Sequence, residues 1–133
     1  MKIEHRPINF EDARGTITDI FVSEPKEHCT IIFTKKGAVR GNHYHKLSRQ
    51  CDFIVSGSLE TYGQMIGQDK VEKVILRQND LVRWEENEAH EFIALEDTLF
   101  ITFVDGVRGG DDFEKDTFRL DKPLHEIFKD TMQ

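Results

Sequence analysis

The chain is dominated by short runs of β-branched, aromatic and other apolar residues that are separated by turn residues. The runs occur at 16–23, 29–34, 38–45, 51–56, 58–66, 71–76, 80–84, 90–95 and 98–104, with a last short run around 117–120. The turns between them are marked by Gly15, Gly37, Gly57, Gly67 and the pair Gln78-Asn79. Regular spacing of about 8–12 residues between such runs is typical of an all-β sandwich or barrel. The sequence therefore predicts an all-β fold.

The C-terminal part of the chain has a different character. Residues 105–117 are polar and contain glycine, which indicates a surface loop whose acidic residues are solvated: Asp111, Asp112, Glu114 and Asp116. Pro123 suits the first turn of a helix, so a short helix is predicted at about 123–131. With 133 residues the chain has the length of one domain, and we expect a single domain over 1–133.

The formal net charge of -7 limits the kinds of partner. Binding to a nucleic-acid backbone needs a clustered basic face, so no nucleic-acid partner is expected, whereas one or two arginines in a pocket can still hold a small phosphorylated ligand. No segment reaches the roughly 20 apolar residues that span a bilayer, and the charged N-terminus lacks the pattern of a signal peptide. We therefore expect a soluble, cytoplasmic protein without membrane contact.

Two histidines stand close together in the run Gly41-Asn42-His43-Tyr44-His45. Side chains alternate between the two faces of a strand, so His43 and His45 are predicted to point the same way. Two imidazoles on one face can share a metal ion or a substrate. For an isolated pair of this kind, a solvated face of a sheet is the ordinary alternative.

The surroundings of this pair resemble the first motif of the cupin superfamily, GxxxxxHxHxxxxExxxxxxG. The matching positions are Gly37, His43, His45, Gln50 and Gly57, with glutamine in place of the usual glutamate. His90 resembles the histidine of the second cupin motif, although Asn79 stands where that motif has glycine and Glu85 where it has proline. The resemblance implies a closed double-stranded β-helix, or jelly-roll barrel, with the three histidines converging in its interior.

A narrower resemblance points to the cupins that act on sugar nucleotides. The run from Arg40 to Lys46 is similar to the RGxHxHK stretch of the dTDP-sugar 3,4-ketoisomerases, in which glutamine is common at the position of Gln50. Its RGxHY portion is similar to dTDP-4-dehydrorhamnose 3,5-epimerase, and Phe10–Gly15 resembles the DxRG opening of these proteins. The tail lacks the DYIR-like ending of the ketoisomerases. The resemblance implies an isomerase or epimerase in surface polysaccharide biosynthesis.

Such an enzyme removes a proton next to a ketone on a hexose ring and needs no cofactor. By its match to the epimerase motif, His43 is the base, and His45 either relays the proton or donates to the developing oxyanion. Arg40 would steady the enolate or a phosphate, and Gln50 would orient a sugar hydroxyl or an imidazole. The substrate-binding residues are thus predicted to be Arg40 and Gln50, with Arg83 or Arg108 holding the pyrophosphate of a nucleotide-linked sugar.

The same residues are compatible with a metal centre. His43, His45, Gln50 and His90 would then coordinate one divalent ion such as zinc, iron, nickel or manganese. Asp52 faces the same interior if the strand alternates regularly, and would be a further ligand or a partner of a histidine. A ring nitrogen bound to metal has no lone pair for a proton, so this reading excludes catalysis by that nitrogen.

A third reading is a non-catalytic cupin that binds a sugar or another metabolite. Small cupins of this branch usually pair, so the resemblance also implies a homodimer.

Overall fold

The computed structural model describes residues 1–107 and 110–132, and this part of the chain forms twelve strands and two short helices. The strands are β1 (Lys2–His5), β2 (Phe10–Asp12), β3 (Gly15–Ile17), β4 (His28–Thr34), β5 (Val39–Tyr44), β6 (Arg49–Ser56), β7 (Ser58–Met65), β8 (Glu72–Arg77), β9 (Asp80–Trp84), β10 (Glu88–Ala94), β11 (Thr98–Asp105) and β12 (Phe118–Arg119). The helices are α1 (Gly110–Lys115) and α2 (Leu124–Thr131). Neither helix is long and apolar enough to cross a membrane, which holds for the described residues.

Ten of these strands form two antiparallel five-stranded sheets. The first sheet has the order β1-β9-β6-β11-β4 and the second the order β12-β5-β10-β7-β8, while β2 and β3 form a separate hairpin. Strands that follow one another in the chain repeatedly alternate between the sheets. This connectivity is the jelly-roll arrangement, in which two sheets face each other across one core.

Regular alternation along the strands fills the space between the sheets. In β11 every second residue is buried, beginning with Thr98 and including Phe100. The main cluster of buried apolar side chains joins both sheets and contains Ile54, Leu59, Leu76, Val82, Trp84, Phe92, Ala94 and Phe100. Burying such side chains is the main favourable contribution to folding, at roughly 1.5–3 kcal/mol each.

A β-bulge interrupts the pairing of β5 with β10 beside the histidines. His90 lies opposite His43, but the next residue, Glu91, lies opposite Gly41, so Asn42 is the extra residue. Gly41 and Asn42 both have positive φ angles, 95° and 58°. A Cβ atom at Gly41 would lie 2.5 Å from the backbone oxygen of His90, so this close approach of the strands requires glycine.

Most of the strands predicted from the sequence are present within a few residues of their expected bounds, and so is the C-terminal helix. The expectation for 16–23 was wrong beyond Ile17. Ile20 and Phe21 instead pack in irregular backbone against a buried cluster on the outer face of the first sheet. The segment is apolar because it covers a sheet, not because it belongs to one. The expected loop at 105–117 contains α1, and Asp116 within it is buried rather than solvated.

Candidate active site

The three histidines meet inside the barrel. His43 lies on β5, His45 follows the same strand, and His90 lies on β10. The centroid of the His43 ring is 5.0 Å from that of His45 and 4.7 Å from that of His90, and one ring nitrogen of each residue lies within 4.8 Å of the others. His45 and His90 are buried and His43 is partly exposed. His43 is therefore the ring that a ligand in the pocket reaches first.

The hydrogen bonds of His45 define which of its nitrogens carries the proton. Its Nδ1 lies 2.8 Å from the backbone oxygen of Asp116. A carbonyl only accepts, so Nδ1 must carry the hydrogen, and Nε2 of the neutral ring keeps a free lone pair. Among the described residues, Nε2 of His45 and Nδ1 of His90 are buried without a hydrogen-bond partner. Buried polar atoms without partners are rare, and here they indicate a site for a ligand, a water or an ion.

Burial keeps two of the imidazoles neutral. It lowers the pKa of His43 to about 4, with further contributions from His45 and Arg119. It also lowers the pKa of His90 well below the ordinary value, and the neighbouring His43 and His45 add to the effect. At neutral pH both rings therefore have lone pairs, which a base and a metal ligand equally require.

Asp116 is a part of the site that the sequence did not reveal. Its carboxylate accepts hydrogen bonds from the backbone N–H groups of Lys46, Leu47 and Ser48 at 3.0, 3.1 and 3.1 Å. These bonds fix the turn that follows His45, while the Asp116 backbone fixes the ring itself. In the sequence Asp116 is one of several acidic residues in a polar stretch, and nothing local distinguishes it from its solvated neighbours.

Asp52 lies in the interior, as alternation from Gln50 predicts, and is fully buried. Its carboxylate accepts hydrogen bonds from Thr102 Oγ1 at 2.6 Å, Trp84 Nε1 at 2.9 Å and Gln50 Nε2 at 3.0 Å. Burial raises its pKa to about 6, against the opposing effect of these donors. Since Gln50 turns its amide nitrogen towards Asp52, its amide oxygen is the end available to the pocket.

Two of the three arginines predicted to bind substrate lie among the described residues, and their environments differ. Arg40 lines the pocket, and its Nε donates to Thr34 Oγ1 at 2.8 Å. Arg83 does not line the pocket: its guanidinium lies on the outer side of β9, where it bonds to both carboxylate oxygens of Glu24 at 2.7 and 2.9 Å. The pocket role predicted for Arg83 therefore has no support in its position. Arg108, also predicted to bind substrate, lies outside the described residues.

Arg119 is a pocket residue that sequence reasoning did not select. It lies on β12, opposite His43 in the pairing with β5, and it lines the pocket beside an ion pair with Glu114. Only the pairing of β12 with β5 brings it there. The sequence placed a strand near 117–120 but contained no signal for its partner.

His43 and His90 line a cavity of about 380 Å³ between the sheets. Its polar lining comes from Arg40, His43, Gln50, His90, Thr102 and Arg119, and its apolar lining includes Phe92, Phe100 and Phe113. A cavity of this size falls within the range of about 300–1,000 Å³ found for small-molecule sites. A few converging polar groups on aromatic walls suit a ring-shaped polar ligand.

Known structures share this architecture. A 3,4-ketoisomerase from Helicobacter canadensis matches with a TM-score of 0.75 at 19% identity, covering 99% of this chain and 97% of that one. A double mutant of ChmJ, a 3'-monoepimerase from Streptomyces bikiniensis in complex with dTDP, matches with a TM-score of 0.80 at 17% identity, covering 94% and 71%. RmlC, a dTDP-6-deoxy-D-glucose-3,5-epimerase from Legionella pneumophila Philadelphia 1 in complex with dTDP-4-keto-L-rhamnose, matches with a TM-score of 0.77 at 16% identity, covering 95% and 74%.

No protein-family model matches the chain, and no curated protein matches it in sequence. The structural likeness nevertheless establishes the fold, and the chain has the cupin fold predicted from its histidine motif. The three structures described above are those of two epimerases and a ketoisomerase, and the likeness to this chain is one of fold.

Proposed function

We propose that the chain is a sugar-nucleotide isomerase or epimerase that removes a proton from the carbon next to a keto group. The observation that carries this proposal is the position of His43: a partly exposed imidazole in the wall of a cavity that Arg40 and Arg119 also line, with a pKa lowered by burial so that the ring is neutral at neutral pH. A neutral imidazole can accept a proton, and nearby guanidinium groups favour the negative charge that the substrate then develops. The architecture shared with epimerases and a ketoisomerase supports the same reaction class.

In the proposed reaction, a ring nitrogen of His43 takes the proton from the carbon beside the ketone. The electron pair of that C–H bond forms a carbon–carbon double bond, and the carbonyl electrons move to the oxygen, giving an enolate. Return of a proton to the opposite face of the same carbon re-forms the ketone with that carbon inverted. Where that carbon carries a hydroxyl group, the hydroxyl proton can instead pass to the enolate oxygen; a proton then adds to the former carbonyl carbon, and the ketone forms at the neighbouring carbon. No electrons are lost or gained, so the reaction needs no redox cofactor.

The tautomer of His45 favours one of its two predicted roles. Because its Nδ1 donates to the backbone oxygen of Asp116, its Nε2 has no hydrogen to give to an oxyanion. His45 is therefore suited to receive a proton from the neighbouring His43 ring, whose centroid is 5.0 Å away. Stabilising the enolate oxygen falls to Arg40, which together with Arg119 also remains a candidate for phosphate contact. The amide oxygen of Gln50 can accept a hydrogen bond from a sugar hydroxyl.

A nucleotide-linked sugar is the substrate class that we propose. Two of the matching proteins contain such a ligand or its nucleotide, dTDP-4-keto-L-rhamnose in one and dTDP in the other. In this chain, Arg40 and Arg119 give the cavity two positive groups despite the overall charge of -7. The motif resemblance also leads us to propose a role in surface polysaccharide biosynthesis, and we propose that the protein acts in the cytoplasm.

Deuterium exchange tests the proposal. The protein is incubated with dTDP-4-keto-L-rhamnose and related keto-sugar nucleotides in heavy water, and deuterium beside the ketone is followed by mass spectrometry and NMR. We expect exchange by the natural chain and a loss of about 10²–10⁴-fold in His43→Ala, the usual contribution of a general base. The exposed His5, replaced by Ala, is the matched control and should exchange normally. Absence of exchange with every candidate would leave a binding protein and reject the enzyme.

Metal binding is the second candidate function, favoured by the two buried ring nitrogens without partners among the described residues. Imidazole nitrogens fit the preferences of zinc, iron or nickel, and manganese is a weaker match to a nitrogen-rich site. His43, His45 and His90 would hold the ion with the amide oxygen of Gln50, whereas Asp52 is not among the clustered ligands. A bound ion would supply Lewis acidity. Elemental analysis after purification without added metal distinguishes the readings, since a stoichiometric ion on His43 removes it as the base.

We also propose that the protein is a homodimer. The edge strand β4 presents Ile31 and Phe33 with exposures of 68% and 54%, and the hairpin of β2 and β3 presents Phe10 and Ile17 with exposures of 52% and 57%. Clustered exposed apolar side chains mark association surfaces. Analytical ultracentrifugation should give twice the chain mass of 15.5 kDa, and the double substitution Ile31→Glu and Phe33→Glu should give the monomer. A monomeric natural chain would reject this.

A further inference from the structure

The bulge in β5 determines which residues face the pocket. Residues an odd number apart on a regular strand face opposite sides. Arg40 and His43 are three apart, yet both line the pocket, because the bulge at Gly41 and Asn42 inserts one extra residue between them. If β5 were a regular strand with Arg40 pointing into the barrel, His43 would point outwards. The arrangement of the candidate base and the candidate enolate-stabilising group therefore depends on the backbone at Asn42.

Asn42 is held in this backbone conformation by contacts from distant parts of the chain. Its Nδ2 donates to Glu91 Oε2 at 2.6 Å, and its Oδ1 accepts from the backbone N–H of Leu124 at 2.9 Å. Its backbone oxygen accepts from the N–H of Leu120 at 2.8 Å. Both ends of the side-chain amide are used, so its orientation is fixed. The C-terminal segment thus fastens the bulge from outside the barrel.

Glu91 is the centre of these contacts. Its side chain is fully buried, and its carboxylate also accepts from the backbone N–H of His125 at 2.9 Å and contacts His125 Nδ1 at 2.8 Å. A buried carboxylate is retained only where donors surround it. Glu91 lies next to His90 in β10, so the same residue connects the bulge, the start of α2 and the strand that carries the third imidazole.

We propose that Asn42, held by Glu91, is a positioning residue that aims His43 into the pocket. This inference rests on the proposed function, in which His43 is the base, and adds the device that orients it. Asn42 is not one of the residues that line the cavity, so it acts through the backbone of the residue that follows it. Small displacements of a catalytic group of about 1 Å can cost about a hundredfold in rate.

Exchanging the hydrogen-bond donor of Asn42 with the acceptor of Glu91 tests the proposal. Asn42→Asp tolerates the positive φ but places a carboxylate against that of Glu91. Adding Glu91→Gln restores a donor facing an acceptor, now in the reverse direction, with nearly unchanged shape. We expect Asn42→Asp to lower kcat for deuterium exchange about tenfold to a hundredfold with little change in KM, and the double variant to recover most of it. Asn79→Asp, at another asparagine with positive φ (68°) in a distant turn, is the control and should match the natural chain.

Two further measurements separate positioning from simple instability. Thermal unfolding shows whether each variant is folded, and Asn42→Gly, which accepts the backbone conformation without the side-chain bonds, replaces Asn42→Asp if that variant does not fold. NMR follows the contact between the rings of His43 and His90, whose centroids are 4.7 Å apart. We expect this ring contact to weaken in Asn42→Asp or Asn42→Gly and to return in the double variant.

The outcomes distinguish the positioning role from the proposed function. If the natural chain exchanges no candidate substrate, the proposed function fails, while the ring contact still decides whether Asn42 positions His43. Natural kcat and an unchanged ring contact in folded Asn42 variants would overturn the inference. An equal loss in Asn79→Asp, or no recovery in the double variant, would do the same.

Discussion

Replacing Asp52 by asparagine should make the protein progressively more stable than the natural chain as the pH rises through about 6. Asp52 is fully buried, and its carboxylate faces donors from Thr102, Trp84 and Gln50. An asparagine of the same shape can accept from Trp84 with its oxygen. Its amide nitrogen can donate to the oxygen of Gln50 once that side chain rotates its amide. The substitution therefore removes a buried charge, but the amide nitrogen also replaces the oxygen that accepts from Thr102 Oγ1, and the loss of this hydrogen bond offsets part of the gain.

The magnitude follows from the pKa. Burial raises the pKa of Asp52 from its ordinary value of 3.8 to about 6 in the folded chain. Because the folded chain holds the proton more tightly than the unfolded chain, the contribution of Asp52 to stability is greatest below its unfolded pKa and is lost as the pH rises through about 6. A difference of roughly 2 pKa units corresponds to about 3 kcal/mol. The asparagine that replaces it does not titrate, so the advantage of the variant should grow by about this amount as the pH rises.

Urea unfolding of the natural chain and of Asp52→Asn between pH 4 and 7.5 measures the difference in their free energies of unfolding. Titratable groups that both proteins contain contribute equally and cancel in this difference. Glu24→Gln is a control of opposite sign, because hydrogen bonds from Arg83 and Lys26 lower the pKa of Glu24 to about 2. The ionised Glu24 stabilises the folded chain above its unfolded pKa, and this contribution declines as the pH falls towards 2. Glu24→Gln lacks this contribution, so its stability relative to the natural chain should fall as the pH rises. The reasoning would be refuted if the free-energy difference for Asp52→Asn stayed constant or shrank between pH 4 and 7.5.

Three further changes have definite expected outcomes. Gly41→Ala should lower the free energy of unfolding in urea by about 1–3 kcal/mol or more, because it combines a positive φ with a Cβ atom 2.5 Å from the backbone oxygen of His90. In Gly67→Ala the new Cβ has nothing within 4 Å, so a smaller loss for Gly41→Ala than for Gly67→Ala would contradict the close approach of the strands. Phe100→Ala should cost about 3–5 kcal/mol, since Phe100 is almost fully buried between the sheets, and a cost near zero would reject the described core. The value of kcat/KM should stay constant from neutral pH down to about 5 and fall as the pH approaches 4, where His43 gains its proton; a fall centred near the ordinary histidine pKa of 6.5 would show that burial does not act as described.

Much of the fold could be predicted because strand alternation is a local property. β4 and β11 alternate between more and less exposed residues, and their sequence runs were identified as strands. β1 was missed because Lys2–His5 is short and mostly charged, and pairs at the edge of the first sheet. The run at 16–23 misled because an apolar covering segment and a strand have the same composition. The local sequence pattern therefore identified central strands better than short edge strands and the irregular segments that pack over a sheet.

The residues of the candidate site also differ in how far the local sequence reveals them. His43, His45 and His90 were identifiable because a motif and strand alternation carry the information. Asp116 reaches His45, and Arg119 reaches the pocket, only through the path of the C-terminal segment. The position of Arg83 was decided by Glu24, which lies 59 residues away in the chain and binds its guanidinium on the outer surface.

The central claim is that His43 is a neutral base that works without a metal ion. It is tested most directly by measuring deuterium incorporation into dTDP-4-keto-L-rhamnose with chelator-treated protein whose metal content is determined in the same sample. The account predicts full exchange by the metal-free natural chain and its loss in His43→Ala. Exchange that disappears with the metal and returns in proportion to added zinc, iron or nickel would contradict it.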